Sequence, residues 1–256
     1  MGQFFLIMSH YVKRMLRDLP GLPIVLLIPV GIIVVQSLAG DPVMLDGYNV
    51  TASFAMPMLM LAFQFFNMGF LHCVLYHDFK GDMRWRLRAA PQSLTAFMLP
   101  AFTAGWIFSV ICGTVVILVS ALFLNVYLGN LLVLAAVLLL ISLMATFLAM
   151  LIFLFVPKVN AANGLVYIIS FGFLALSGAF FPLGNSAVAE FITRFGTPLA
   201  LGQRAIIYAG SLNDILVAVG EPGRGMEQAL INIGILAAIT LVLALITLIA
   251  ARRRKF

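Results

Sequence analysis

Long apolar blocks alternate with short polar, glycine- or proline-marked segments along the chain, and six of the blocks stand out: residues 22–38, 53–76, 94–124, 131–156, 161–181 and 229–251. Each is long enough to cross about 30 Å of hydrocarbon at roughly 1.5 Å per helical residue. Inside lipid every backbone N–H and C=O must be satisfied within its own segment or in a closed barrel. The runs are continuously apolar, without the period-two alternation of a barrel strand, so they are predicted as transmembrane helices. Pro29, Pro57 and Pro100 fall inside blocks and predict kinks.

Three segments depart from this pattern. In residues 1–20, Phe4, Phe5, Met8, Tyr11, Val12, Met15, Leu16 and Leu19 recur with helical period while His10, Lys13, Arg14 and Arg17 take the other face, which predicts a basic interfacial helix ended by Pro20-Gly21-Leu22-Pro23. A basic stretch before an apolar one, with Ser37-Leu38-Ala39 ahead of Gly40, has the outline of a cleavable signal. The block is read instead as an uncleaved first span, as is normal in multi-span proteins. Between the second and third blocks, residues 77–93 are densely charged. A helix from Asp78 to Ala90 sets Lys80, Arg84 and Arg88 on one stripe and Phe79, Met83 and Leu87 on the next, and Pro91 stops it. Between the fifth and sixth blocks, residues 182–228 are too long for a turn. Ala187–Phe195 and Leu199–Ala209 are semi-apolar and predict short helices dipping into the outer leaflet, ended by Gly196-Thr197-Pro198 and by Gly210. The expected fold is a single all-α integral membrane domain over residues 1–256: six transmembrane helices, an N-terminal interfacial helix, a cytoplasmic helix between spans two and three, and a re-entrant outer element between spans five and six.

Composition excludes a soluble domain: 63% of residues are hydrophobic, 9% are charged, and the mean hydropathy is +1.14. The net charge of +6 suggests nucleic acid only until its distribution is read. With both termini on one side, that side carries twelve cations (Lys13, Arg14, Arg17, Lys80, Arg84, Arg86, Arg88, Lys158, Arg252, Arg253, Arg254 and Lys255) and the other only Arg194, Arg204 and Arg224. The bias places both termini and residues 77–93 in the cytoplasm and leaves no single basic surface for nucleic acid. Cys73 and Cys112 both lie in apolar blocks and form neither a disulfide framework nor a metal motif.

Candidate chemistry is sparse. No Asp, Glu, Lys or Arg lies well inside a block, which argues against a proton- or ion-coupled carrier. His10, His72 and His77 fall on or near the cytoplasmic side without a partnered nucleophile, which argues against an intramembrane enzyme. Met56, Met60, Gln64, Asn67 and Met68 share one side of span two; they can line a path for apolar ligands, with Met60, Gln64, Asn67 and Met68 the central candidates, or pack against a neighbouring helix. Ala101, Gly105, Ser109 and Gly113 form a ridge of small residues along span three, expected to pack against another span of the same subunit. The Lys80, Arg84, Arg88 stripe can grip anionic headgroups or fill a groove on a cytosolic partner.

At this point the chain resembles the permease subunits of type-2 ABC exporters, the class that includes bacterial drug and antimicrobial-peptide exporters and the human ABCG half-transporters. Leu87-Arg88-Ala89-Ala90-Pro91 is similar to that family's L-x-A-T/S-P ending of a cytoplasmic coupling helix, and Asp78 with Gly81 to its acidic-plus-glycine opening. Ser177-Gly178-Ala179-Phe180-Phe181-Pro182-Leu183, with Pro198 downstream, resembles its S-G-x-F-F-P exit from span five. Asp82 stands where the family usually has Thr or Ser, and the interval from Gly81 to Pro91 is one residue longer than usual. The resemblance implies an export permease in the cell membrane, driven by two copies of a separate cytosolic ATP-binding subunit. That partner holds ATP and Mg, and this chain, which has no G-x-x-x-x-G-K-[ST] loop, binds no cofactor. It also implies a second, identical or similar permease, with the subunit interface mainly on spans two and five. Asp78, Lys80, Gly81, Arg84, Arg86, Leu87, Arg88 and Pro91 would couple to the ATPase, and Phe180 and Phe181 would form an exit valve. A path without fixed charges suits a hydrophobic or amphipathic substrate. The alternative is a membrane scaffold that anchors a cytosolic partner without transport.

Overall fold

In the computed structural model, which describes residues 2–17, 21–38, 44–45, 47–81, 85, 94–177, 186, 191, 195–210 and 225–253, the N-terminal periodicity becomes α1 (Gly2–Leu16), with Tyr11 and Met15 turned inward and buried. The apolar blocks become α2 (Gly21–Leu38), α3 (Val50–Phe66) continued by α4 (Met68–Phe79), α5 (Leu94–Leu124), α6 (Leu131–Phe155), α7 (Val159–Leu176) and α9 (Met226–Arg253), with the shorter α8 (Pro198–Tyr208) between the last two. Among the described residues, six segments are long and apolar enough to span a bilayer: α2, α3 with α4, α5, α6, α7 and α9. The protein is thus an all-α, multi-pass membrane protein.

Capping explains where several helices start. The Asn49 side chain accepts from the Ala52 N–H at 3.0 Å, and its carbonyl accepts from Ser53 Oγ at 2.6 Å. Span two therefore begins at Val50, ahead of the apolar block expected from Ser53. Asn130 caps α6 in the same way, accepting from Leu132 and Val133, and Thr197 caps α8 through Ala200. A two-residue hairpin precedes Val50: β1 (Met44–Leu45) pairs antiparallel with β2 (Tyr48–Asn49) around Gly47, whose φ of +84° favours glycine.

Pro29, Pro57 and Pro100 all lie within continuous helix. Span two is instead divided at Asn67, between α3 and α4. At its other end the helix runs past Tyr76 to Phe79, and α7 stops at Leu176 with Ser177 as its cap.

Span two is the centre of the bundle. Of its most apolar window 78% is buried, against 24% for α2, 17% for α7 and 22% for α9. It packs against α2, α5, α6, α7 and α8, while α1 lies along α5. Within Ala187–Phe195 only Phe191 and Phe195 are described; in the other expected short helix, α8 buries nine of its residues against α3, α6 and α9. A Cβ on Gly202 would sit 2.8 Å from Leu61 Cδ1, so any larger residue here would have to displace the Leu61 side chain.

The ridge on α5 packs as its spacing predicts. Ala101 and Ser109 are buried. A Cβ on Gly105 would come within 2.9 Å of the Leu71 side chain, and one on Gly113 within 2.5 Å of Leu138 and 2.7 Å of Gln64 Nε2. Without a hydrophobic force between helices in lipid, this close approach is a main source of association.

Candidate functional site

The charged residues at the end of span two do not open a separate helix. Asp78 and Lys80, expected at the head of an exposed amphipathic helix, belong to the end of α4: Asp78 lies within it and Lys80 is its C-cap. The physical reason is that a charge does not end a helix when a partner is at hand. Arg14 of α1 donates to Asp78 Oδ1 at 2.7 Å, and the Asp78 side chain is only 8% exposed. His77 Nδ1 stands 3.1 Å from the same oxygen. Tyr11 of α1 completes the cluster; burial pushes its phenol pKa well above the ordinary value, and the neighbouring Asp78 carboxylate adds to the shift.

Lys80 turns the other way, into the bundle. Its Nζ donates to the Phe153 carbonyl at 2.6 Å and to the Val156 carbonyl at 2.9 Å, and lies 4.3 Å from the Tyr76 ring centroid and 4.5 Å from that of Phe153. The Tyr76 hydroxyl also donates to Val156. A cation here satisfies the last carbonyls of α6 and complements its dipole. The anticipated Lys80, Arg84, Arg88 stripe therefore loses its first member.

Gly81 ends α4 by donating to the Tyr76 carbonyl at 2.8 Å. A Cβ there would fall 2.6 Å from the His77 carbonyl oxygen, so only glycine allows the chain to leave at this angle. Trp85 is 63% exposed; Arg84, Arg86, Leu87, Arg88 and Pro91 lie outside the described residues, as do Phe180 and Phe181.

Of the two readings of this face of span two, a path lining or a packing surface, the burial agrees with packing. Met60, Gln64, Asn67 and Met68 are all buried within the subunit. Ser109 of α5 donates to Gln64 Oε1 at 2.6 Å, Asn67 Nδ2 approaches Ser109 Oγ at 3.4 Å, and Gln64 Nε2 returns to the Met60 carbonyl at 3.2 Å. In lipid a polar side chain gains most by pairing with another helix, so these residues turned to α5. His72 is likewise buried, its ring centroid 4.5 Å from that of Tyr76.

The open face of span two is the opposite one, through Phe66, Gly69, Phe70 and Cys73. With α2 and with Asn163 and Tyr167 of α7 it lines a cavity of about 210 Å³. Tyr167, Ile168 and Phe171 of α7 are more than half exposed beside it.

Sequence reasoning missed the pair of Arg14 with Asp78. Its signal was present: Tyr11 and Arg14 are one turn apart on α1, and Asp78 is an acid at the end of an apolar block. What was missing was the crossing of α1 over span two. Comparison with curated proteins gives no significant match. The model of the ABC-2 type transporter family matches residues 2–209, from α1 to just past α8. With a membrane-spanning bundle matched over most of its length, the chain belongs to the ABC-2 type transporter family and is an ABC-type permease, the membrane component that works with a separate ATP-binding subunit.

Proposed function

We propose that this permease is one of two membrane subunits of an ATP-driven exporter in the cell membrane, with both termini cytoplasmic. The observation that carries the proposal is the joint at the end of span two. Asp78 ties it to α1 through Arg14, and Lys80 ties it to the end of α6 through the Phe153 and Val156 carbonyls. A push on the segment that starts at Gly81 is then delivered to the interfacial helix and to span four together. Arg84, Arg86, Leu87, Arg88 and Pro91 supply the dock for the ATPase, two copies of which bind ATP and Mg and close against the pair of permeases.

The second permease sits on the open face of spans two and five. The cavity bordered by Phe70, Cys73, Asn163 and Tyr167 then becomes part of the path between subunits. Its lining is apolar with isolated polar groups, which suits a hydrophobic or amphipathic substrate such as a drug, an antimicrobial peptide or a lipid-like molecule. Phe180 and Phe181 close that path at the outer end of span five.

The test is reconstitution with the ATPase in liposomes. Substrate-stimulated ATP hydrolysis and accumulation of a hydrophobic dye on the far side support an exporter. Stable co-purification with neither activity supports a scaffold. Arg84→Glu with Arg88→Glu and Leu87→Asp should abolish co-purification while leaving membrane insertion intact; retained binding and transport would remove the dock from this segment. Cysteines placed at Asn185 and Asn213 should label from outside with impermeant reagents, and one at Arg86 only after permeabilisation.

A further inference from the structure

Beneath α1, where it crosses the ends of α4 and α5, lies a cavity of about 500 Å³ that the transport reading does not use. Its lining is part apolar, with Ile7 of α1 and Phe97 of α5, and part polar, with His10, Lys13 and Arg14 of α1 and Asp78 of α4. The charges are not equivalent. Arg14 is spent on Asp78, and Asp78 is in turn satisfied by Arg14 and Tyr11, so neither presents an unbalanced charge. Lys13 and His10 are exposed, and among the described residues no carboxylate lies within ion-pair distance of Lys13. The residual potential of the cavity is positive.

The apolar side does not end at the cavity. Phe5 is 58% and Leu6, on its rim, 71% exposed on the adjoining face of a helix whose amphipathic pattern sets it at a membrane surface. A ligand that satisfies both parts of the lining has an anionic head at Lys13 and His10 and a hydrocarbon tail running past Ile7 and Phe97 into the bilayer. We infer that this cavity is a binding site for one anionic glycerophospholipid, held by its phosphate at Lys13 and His10. A volume of about 500 Å³ lies within the range of small-molecule sites and admits a headgroup with the start of one chain. A free phosphate would leave the apolar part unused, and a zwitterionic headgroup would set its own cation against Lys13. The site differs from general adsorption of a basic helix because it demands a shape as well as a charge.

The experiment is native mass spectrometry of the purified full-length permease titrated with phosphatidylglycerol, with phosphatidylcholine, and with inorganic phosphate as competitor. One phosphatidylglycerol should bind per chain, more tightly than phosphatidylcholine, and phosphate should not displace it. Lys13→Gln, at an exposed position that leaves the fold intact, should weaken phosphatidylglycerol about fivefold, as expected for one cation near a headgroup. Ile7→Trp narrows the cavity with every cation in place and should weaken both lipids alike. Equal binding of the two lipids by wild type, or no change in either variant, would overturn the site. Displacement by phosphate would reassign it to a free anion. Because the readout is binding to the permease alone, its failure is separate from any failure of the export reading.

Discussion

Span two and span five have the same mean hydropathy, 1.7, yet 78% of the first and 17% of the second is buried within the subunit. Apolar character thus says that a segment enters the membrane and nothing about what it meets there. Lipid is as apolar as leucine, so burial in the bundle is decided by shape and by polar side chains that need partners. Span two has both: Gln64 and Asn67 reach Ser109, and its outline accepts the close approach of Gly105 and Gly113 from α5. Span five shows Gly164 and Gly172 to open space and exposes Tyr167, Ile168 and Phe171. The family resemblance expects the second subunit on exactly this kind of free face, over spans two and five.

The sharpest way to break the comparison is to load each span with the same side chain. Gly113→Leu forces a side chain into Leu138 and Gln64 and should cost about 3 kcal/mol, seen as a large drop in melting midpoint and in folded yield. Gly172→Leu meets nothing within 4 Å and should change subunit stability by less than about 0.5 kcal/mol, while reducing subunit pairing measured by cross-linking. Equal effects on stability would erase the distinction between the two spans.

The next largest effect is at the joint. Arg14→Ala leaves the Asp78 carboxylate buried without its cation and should cost about 2 kcal/mol. Adding Asp78→Asn should recover more than half of that loss in a thermal-melt cycle; strict additivity would show that the pair is not coupled. Lys80→Met keeps the contact with the Tyr76 and Phe153 rings but removes two hydrogen bonds to α6, with an expected loss of about 1 kcal/mol. Its larger effect should be on the ratio of substrate moved to ATP hydrolysed; an unchanged ratio would remove Lys80 from the transmission of force. Asn67→Ala should cost less than either charged substitution, about 0.6 kcal/mol, because Ser109 keeps Gln64 as its partner.

Much of this protein was legible in one dimension. Apolar block length fixed the number of spans, because a bilayer sets a minimum helix length and forbids unpaired backbone. The alternation of Tyr11 and Met15 with Lys13 and Arg17 marked an amphipathic helix and its inward face, and the four-residue spacing of Ala101, Gly105, Ser109 and Gly113 marked a packing ridge. Gly81, expected within a helix from Asp78 to Ala90, lies just past the end of the preceding one, a stop that the sequence did not mark. Only the tertiary structure decided which side of span two is core. The polar residues that suggested a path are the ones most in need of a partner, and α5 supplies it. Only the tertiary structure could pair Arg14 with Asp78, 64 residues apart, or seat Lys80 on the carbonyls of a helix 73 residues further on. A lone charge beside an apolar block reads as solvated until another element crosses it, and the crossing of helices is set by side-chain shape, which hydropathy does not record.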